Sequence, residues 1–133
     1  MVIKILKSGA SISENLTHTL KEGGISLPQF NVLRILRGQK GEPANLSTVQ
    51  ERMVNRMSNT TRLVDKLIEK ELVERRICEE NRRKIELTIT SKGLSLLKTL
   101  DPLIDKEEEK ITQNLTIKDK NQLMILLEKL NTN

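Results

Sequence analysis

Residues 57–93 of the chain, MSNTTRLVDKLIEKELVERRICEENRRKIELTITSKG, decide the fold. The first part, residues 57–70, predicts an amphipathic helix, because its apolar side chains recur about every 3.6 residues. The face that they share consists of Thr60, Leu63, Val64, Leu67 and Ile68. Residues 72–78 and 85–89 predict the two strands of a hairpin, which the charged residues 79–84 join as its tip.

The opposite face of the 57–70 helix is polar and basic. It carries, from the helix start onward, Ser58, Asn59, Thr61, Arg62, Asp65 and Lys66. In the major groove of duplex DNA, Arg pairs with guanine O6 and N7, and Asn pairs with adenine N6 and N7. We therefore predict that this face binds DNA bases and that Arg56, just before the helix, contacts backbone phosphate. The other interpretation is a solvated polar face with ordinary capping residues. The basic hairpin that follows the helix favours DNA contact over this interpretation.

The tip of the predicted hairpin is basic through Arg82, Arg83 and Lys84. Arginine favours narrow, A·T-rich minor grooves, because negative potential is concentrated there. We predict that these three side chains reach the minor groove or its phosphates. The alternative is a hairpin tip whose charges only keep it soluble. Arg75, in the first strand, is predicted to bond within the hairpin rather than to DNA.

Composition restricts the class of protein. The chain has 133 residues and a formal net charge of +5, which fits a polyanionic partner and equally an ordinary lysine-rich surface. It has one Phe and no Trp or Tyr, which favours helices over an all-β fold. The single cysteine, Cys78, excludes an intramolecular disulfide and fits a reducing compartment. The N-terminus shows neither a signal peptide nor a membrane-spanning run, so we expect a cytoplasmic protein.

Three helices are predicted before residue 57. Residues 1–22 form the first, with a break at Ser8-Gly9 and an end at Gly23-Gly24. Ser26 caps the second, whose buried stripe consists of Phe30, Leu33 and Leu36. Asn45 caps a short third helix, and residues 54–56 connect it to the helix that opens at Met57 or Ser58. Two short helices joined in this way form a helix-turn-helix.

Two further helices are predicted after the hairpin. Thr90 caps a long helix to about Asn114, and Pro102 inside it is expected to kink or interrupt it. Thr116 and Asp119 form a capping box for the last helix, residues 117–130. The central module is too small to bury the apolar stripes of all the terminal helices. We therefore predict a symmetric homodimer with interleaved terminal helices and recognition helices about 34 Å apart. The alternative is a monomer whose helices fold back on its own core.

The same motifs, in this order, resemble one known family. They are LPQF at residues 27–30, TRLVDKL at 61–67, LVERR at 72–76, RR at 82–83, LTIT at 87–90 and KG at 92–93. With the last helix, they resemble the MarR family of bacterial winged-helix transcriptional regulators. The fold expected is mainly α with a small β-hairpin wing, a winged helix-turn-helix with N- and C-terminal dimerisation helices. The expected boundaries are a single domain at 1–133, with the DNA-binding module at about 27–93 and dimerisation helices at about 1–22 and 94–133.

The resemblance implies a function as well. It implies a dimeric repressor that binds a palindromic operator in double-stranded DNA, with Arg83 as the stronger wing contact. It also implies release by a small-molecule effector or an oxidant, and a small ligand would bind between the first, second and fifth helices. The alternative function is a winged-helix protein-interaction module without specific DNA binding.

Three departures from the family pattern bear on the site. Asn81 replaces the Asp of a usual Asp-x-Arg wing motif, so the pairing that stiffens the wing is in doubt. Glu71 replaces a glycine at the end of the recognition helix, where a left-handed backbone favours Gly. Gln50 and Val54 replace a usual small residue and a usual glycine before that helix.

Catalysis and metal binding are not indicated. The chain has no glycine-rich phosphate loop, no Cys/His cluster and no Ser/His/Asp set with suitable placement. His18 is a lone histidine, and residues 107–109 are three glutamates on a solvated helix face. Cys78 lies beside Glu79 and Glu80, which disfavour its thiolate, so we interpret it as structural or incidental. We expect no enzyme activity, no cofactor and no metal.

Overall fold

A computed structural model describes residues 1–55, 59–77, 79–80 and 84–131 of the chain. Its helices are α1 (Val2–Leu20), α2 (Leu27–Gly38), α3 (Leu46–Arg52), α4 (Thr60–Glu69), α5 (Ser91–Ile111) and α6 (Ile117–Asn131). Its strands are β1 (Ala44–Asn45), β2 (Val73–Ile77) and β3 (Ile85–Ile89). The predicted fold class, mainly α with a β-hairpin wing, is confirmed. Among the described residues, no helix is both long and apolar enough to cross a membrane.

Helix α1 is continuous, so the break predicted at Ser8-Gly9 is wrong. A single exposed glycine costs a helix only about 1 kcal/mol, which the hydrogen bonds of this long helix outweigh. A short 3-10 helix (Lys21–Gly23) follows α1. Gly24 then adopts φ +70°, a left-handed conformation that glycine tolerates, and turns the chain toward α2.

The start of α2 is fixed by a capping box, as the sequence predicts. The backbone N–H of Gln29 donates to Ser26 Oγ at 3.2 Å, and the N–H of Ser26 donates to Gln29 Oε1 at 2.9 Å. The predicted stripe of Phe30, Leu33 and Leu36 is buried. Helix α2 thus supplies one wall of the core.

The sheet has three strands instead of the predicted two. Strand β3 lies between β1 and β2 and is antiparallel to both. Strand β1 is only two residues long, so it shows no alternating pattern that sequence analysis can detect. Its Asn45 lies opposite Glu86 and also caps α3 as predicted, with its Oδ1 accepting from the N–H of Thr48 at 2.8 Å. The sheet is therefore joined directly to the first helix of the helix-turn-helix.

The hydrophobic core is aliphatic apart from Phe30, and it lies where α2, α3, α4 and the sheet meet the first half of α5 and the end of α1. Its most deeply buried side chains are Leu20, Val32, Leu33, Val49, Leu67, Val73, Leu87, Leu97 and Leu100. Arg37 of α2 and Asp101 of α5 form an ion pair at 2.7 Å beside this core. The core thus holds the recognition helix and the sheet on one rigid support.

The C-terminal helices begin at the predicted caps. The N–H of Gly93 donates to Thr90 Oγ1 at 3.0 Å, and Thr116 and Asp119 form the reciprocal bonds of a capping box. Helix α5 continues through Pro102, so an interruption there is wrong, and a kink stays a prediction. The helix ends at Ile111, three residues before the predicted end at about Asn114. Proline removes one backbone hydrogen bond, and burial of Leu97 and Leu100 just before it holds the helix on the core.

Candidate nucleic-acid interface

Helix α4 begins at Thr60, so the prediction that it opens at Met57 or Ser58 is wrong. Asn59 is the N-cap, because its Oδ1 accepts from the N–H of Arg62 at 3.2 Å. Ser58 and Asn59 are both good capping residues, and the sequence alone does not decide between them. Helix α3 ends at Arg52, and the predicted turn at residues 54–56 lies partly outside the described residues.

The two faces of α4 divide as predicted. Thr60, Val64 and Leu67 are buried, and Leu63 and Ile68 are half-buried against the same core. The exposed residues of the opposite face are Asn59, Thr61, Arg62, Asp65 and Lys66. A polar face that is free of the core is available for a partner.

The exposed face of α4 is further divided by charge. Arg62 and Lys66, one turn apart, line an open groove of about 560 Å³ that continues onto the start of α2. Lys70, at the end of this row, donates to the carbonyl oxygen of Gly24 and ties α4 to the α1–α2 turn. Asp65 lies on the other side, in an open groove of about 1240 Å³ beside β2, while Glu69 lines both grooves. The basic side of α4 is the one that suits a phosphate backbone.

Glu71, which stands where the family usually has glycine, adopts the left-handed backbone conformation expected at the end of α4. Glu71 has φ +63°, and its N–H donates to the carbonyl of Ile68 at 2.9 Å. The N–H of Leu72 donates to the carbonyl of Leu67 at 2.9 Å, which completes a Schellman motif. Thr90 Oγ1 donates to the carbonyl of Glu71 at 2.8 Å, so the start of α5 holds this turn in place.

We call the β2–β3 hairpin the wing. Its described ion pair joins Arg76 on β2 to Glu86 on β3, with Arg76 Nε and Glu86 Oε2 2.9 Å apart. Arg75 lies opposite Leu87, and the ion pair described within the wing is made by Arg76 instead, so the predicted bond of Arg75 is not found among the described residues. Sequence reasoning missed Arg76, since the strand register that sets it opposite Glu86 is not visible in the sequence.

The nine predicted DNA-binding residues fall into two groups. Arg56, Ser58, Arg82 and Arg83 lie outside the described residues, as do Cys78 and Asn81. The other five are exposed, four of them at α4 and Lys84 just before β3. The structure therefore brings Asn59, Thr61, Arg62 and Lys66 together on one surface.

Helices α3 and α4, followed by the wing, define a winged helix-turn-helix domain, a fold that typically places its second helix in a DNA major groove. The sequence model of the MarR family matches residues 25–85, from the start of α2 to the start of β3. The chain is thus similar to the MarR family over slightly less than half of its length.

Known proteins resemble the chain over most of its length. The HTH-type transcriptional regulator MhqR of Bacillus subtilis (strain 168) is 28% identical over 102 residues, which cover 77% of this chain and 69% of MhqR. The transcriptional repressor MprA of Escherichia coli (strain K12) is 27% identical over 121 residues, covering 91% of this chain and 69% of MprA. A crystal structure of mutant MarR from E. coli complexed with operator DNA has a TM-score of 0.87, with 22% identity and coverage of 96% of this chain and 91% of that one.

Proposed function

We propose that this protein is a homodimeric, sequence-specific DNA-binding transcriptional regulator. The observation that carries the proposal is the exposed face of α4, where Thr61, Arg62 and Lys66 lie opposite the face that packs on the hydrophobic core. A recognition helix with such a face reads base edges, and a neighbouring wing contacts the adjacent minor groove. The match of residues 25–85 to the MarR family model supports the same assignment.

Each predicted residue takes a role under this proposal. Arg62 donates to guanine O6 and N7, while Thr61 contacts a neighbouring base or its methyl group. The Oδ1 of Asn59 is engaged in the cap, so its amide N–H groups serve as donors to DNA rather than in a two-bond pair with adenine. Lys66 contacts phosphate. The further proposed contacts, beyond the described residues or at their edge, are Arg56, Ser58, Arg82, Arg83 and Lys84.

The terminal helices support a homodimer. No residue of α6 is buried, although it carries the large apolar side chains Leu123, Met124, Ile125, Leu126, Leu127 and Leu130. Fully burying one such side chain is worth about 1.5–3 kcal/mol, so a second copy of the chain that covers α6 is strongly favoured. Exposed Ile5 and Leu6 of α1 extend the apolar surface. In the alternative, a monomer folded back on its own core, α6 would be buried against that core, whereas here it is exposed.

We further propose repression from a palindromic operator, since a twofold dimer presents two equal recognition helices. The name of MprA, a transcriptional repressor, supports this direction of regulation. Release by a small ligand stays a prediction, since an open groove of about 370 Å³ lies between α1 and Glu107 of α5 but nothing in its lining identifies a ligand. A regulator of this kind acts in the cytoplasm beside the DNA and needs no catalytic site. No observation favours the protein-interaction module.

The proposal is tested by selecting bound duplexes from a pool of random DNA with the purified full chain. The expected result is enrichment of an inverted repeat whose half-site centres are one helical turn apart, about 10 base pairs. Enrichment of single half-sites would contradict the dimer. A pool that stays random after repeated rounds would contradict sequence-specific binding.

A further inference from the structure

We propose that Glu86 is a positioning residue for the wing and that it acts through its ion pair with Arg76. The inference rests on the proposed DNA-binding function and assigns a role to a residue that does not itself touch DNA. Both side chains lie on strands of the wing and face each other directly across the β2–β3 ladder.

Glu86 occupies the middle of a row that crosses the whole sheet. Arg76 of β2 is its neighbour on one side, and Asn45 of β1 is its neighbour on the other. Asn45 also caps α3, so the row connects the edge strand of the wing to the first helix of the helix-turn-helix. A change in this row therefore alters how the wing is oriented relative to the helices that enter the major groove.

The Arg76–Glu86 ion pair lies at the point along the wing where the third strand ends. Strand β1 pairs with β3 only at Leu87 and Glu86, so the sheet is two-stranded beyond Glu86 toward the tip. A two-stranded hairpin on its own is marginally stable in water. Only the pair Ile77 and Ile85 separates the ion pair from the end of the ladder. The ion pair thus stabilises the part of the wing that β1 does not reach.

A positioning role of Glu86 and a purely electrostatic role predict opposite effects on DNA binding when its negative charge is removed. A carboxylate on a surface that meets DNA repels phosphate, so its removal should tighten binding if charge alone matters. The side chain of Glu86 is 24% exposed and that of Arg76 is 73% exposed, so the carboxylate is the more enclosed partner. If Glu86 positions the wing, its removal weakens binding despite the more favourable charge.

The test compares Glu86→Ala with Glu74→Ala on the duplex obtained by selection. Glu74 is an exposed acid on β2, two residues from Arg76 on the same face of the wing, and it forms no ion pair with the described residues. Both variants remove one negative charge. We expect Glu86→Ala to bind about two- to fivefold more weakly than wild type, the size expected for one cross-strand charge pair. We expect Glu74→Ala to bind as tightly as wild type or more tightly.

The salt dependence and a charge-reversed pair complete the test. Because Glu86 makes no phosphate contact, the salt slope of Glu86→Ala should equal that of wild type. The double variant Arg76→Glu/Glu86→Arg keeps the net charge and restores opposite charges across the ladder. We expect it to bind within about twofold of wild type, given the small size of such pairs.

Three outcomes overturn the inference. They are tighter or unchanged binding by Glu86→Ala, equal weakening by Glu74→Ala, and a charge-reversed pair that binds as weakly as Glu86→Ala. In each of these outcomes the wild-type protein still binds the duplex, so the positioning role of Glu86 is rejected while the proposed DNA-binding function is retained. Absence of saturable binding by wild type would instead reject the proposed function itself.

Discussion

Gly93 at the start of α5 packs against the backbone carbonyl of Leu72, the residue just before β2. A Cβ placed on Gly93 would lie 2.5 Å from the oxygen of Leu72 and 2.7 Å from Cγ1 of Ile89. The same carbonyl accepts from the N–H of Thr90 at 3.0 Å. This close approach joins the end of the recognition helix, the wing and the long C-terminal helix at one point.

The first prediction follows from that contact. Alanine normally stabilises a helix by about 1 kcal/mol relative to glycine. Gly93→Ala should instead lower the free energy of unfolding by about 1–3 kcal/mol, because the methyl group meets backbone that cannot move aside. Gly9→Ala is the control, since nothing lies within 4 Å of its Cβ position. Urea unfolding at one protein concentration measures both, and a Gly93→Ala variant as stable as wild type would contradict the packing described.

The second prediction concerns the left-handed residue that ends α4. Glu71→Gly should raise the free energy of unfolding by up to about 1 kcal/mol, because glycine adopts φ +63° without the cost that Glu bears. Its carboxylate lies 3.7 Å from Lys92 in an exposed ion pair, so little is lost with it. Glu69→Gly, two residues earlier in regular helix, should lower stability by about 1 kcal/mol. A destabilised Glu71→Gly variant would show that the carboxylate matters more than the backbone.

The third prediction separates capping from DNA contact at Asn59. Asn59→Ala removes the cap and should cost about 1 kcal/mol of stability, whereas Asn59→Ser keeps a capping oxygen and should cost little. Both variants lose the amide N–H groups, so both should bind the selected duplex more weakly. Thermal unfolding and binding titrations on the two variants distinguish the effects. Wild-type affinity in Asn59→Ser would mean that Asn59 only caps the helix.

The fourth prediction concerns the dimer. The double variant Leu123→Glu/Leu127→Glu places two charges on the apolar surface of α6 and should convert the protein to monomers. Asn121→Glu adds the same kind of charge at an exposed polar position of α6 and should leave the dimer intact. Sedimentation equilibrium gives the mass of each variant. A wild-type chain that sediments as a monomer would reject the interface.

Features set by neighbouring residues were predictable from sequence. Ser26, Asn45 and Thr90 act as caps because a side-chain oxygen bonds a backbone N–H three residues on, which a sequence motif reveals. The two faces of α4 followed from helical periodicity in the same way. The family resemblance added the arrangement of the elements, which local patterns do not fix.

Features set by distant residues were not predictable in this way. Strand β1 exists only because Ala44 pairs with Leu87, and its two residues carry no strand pattern of their own. The Arg76–Glu86 pair depends on the register of the wing. The contact between Gly93 and Leu72 joins the first turn of α5 to the residue before β2. A glycine in the first turn of a helix does not by itself indicate such a contact.

The central claim is that α4 reads DNA sequence through Arg62 while Lys66 contacts the backbone. Fluorescence anisotropy with the selected duplex and a scrambled duplex, over a range of salt, tests it directly. Arg62→Ala should lose about 1–3 kcal/mol of preference for the selected duplex. Lys66→Ala should weaken binding to both duplexes and reduce the salt slope by about 1. Lys110→Ala, an equal loss of charge in the last turn of α5, should change neither preference nor slope. Full preference retained by Arg62→Ala would contradict the account.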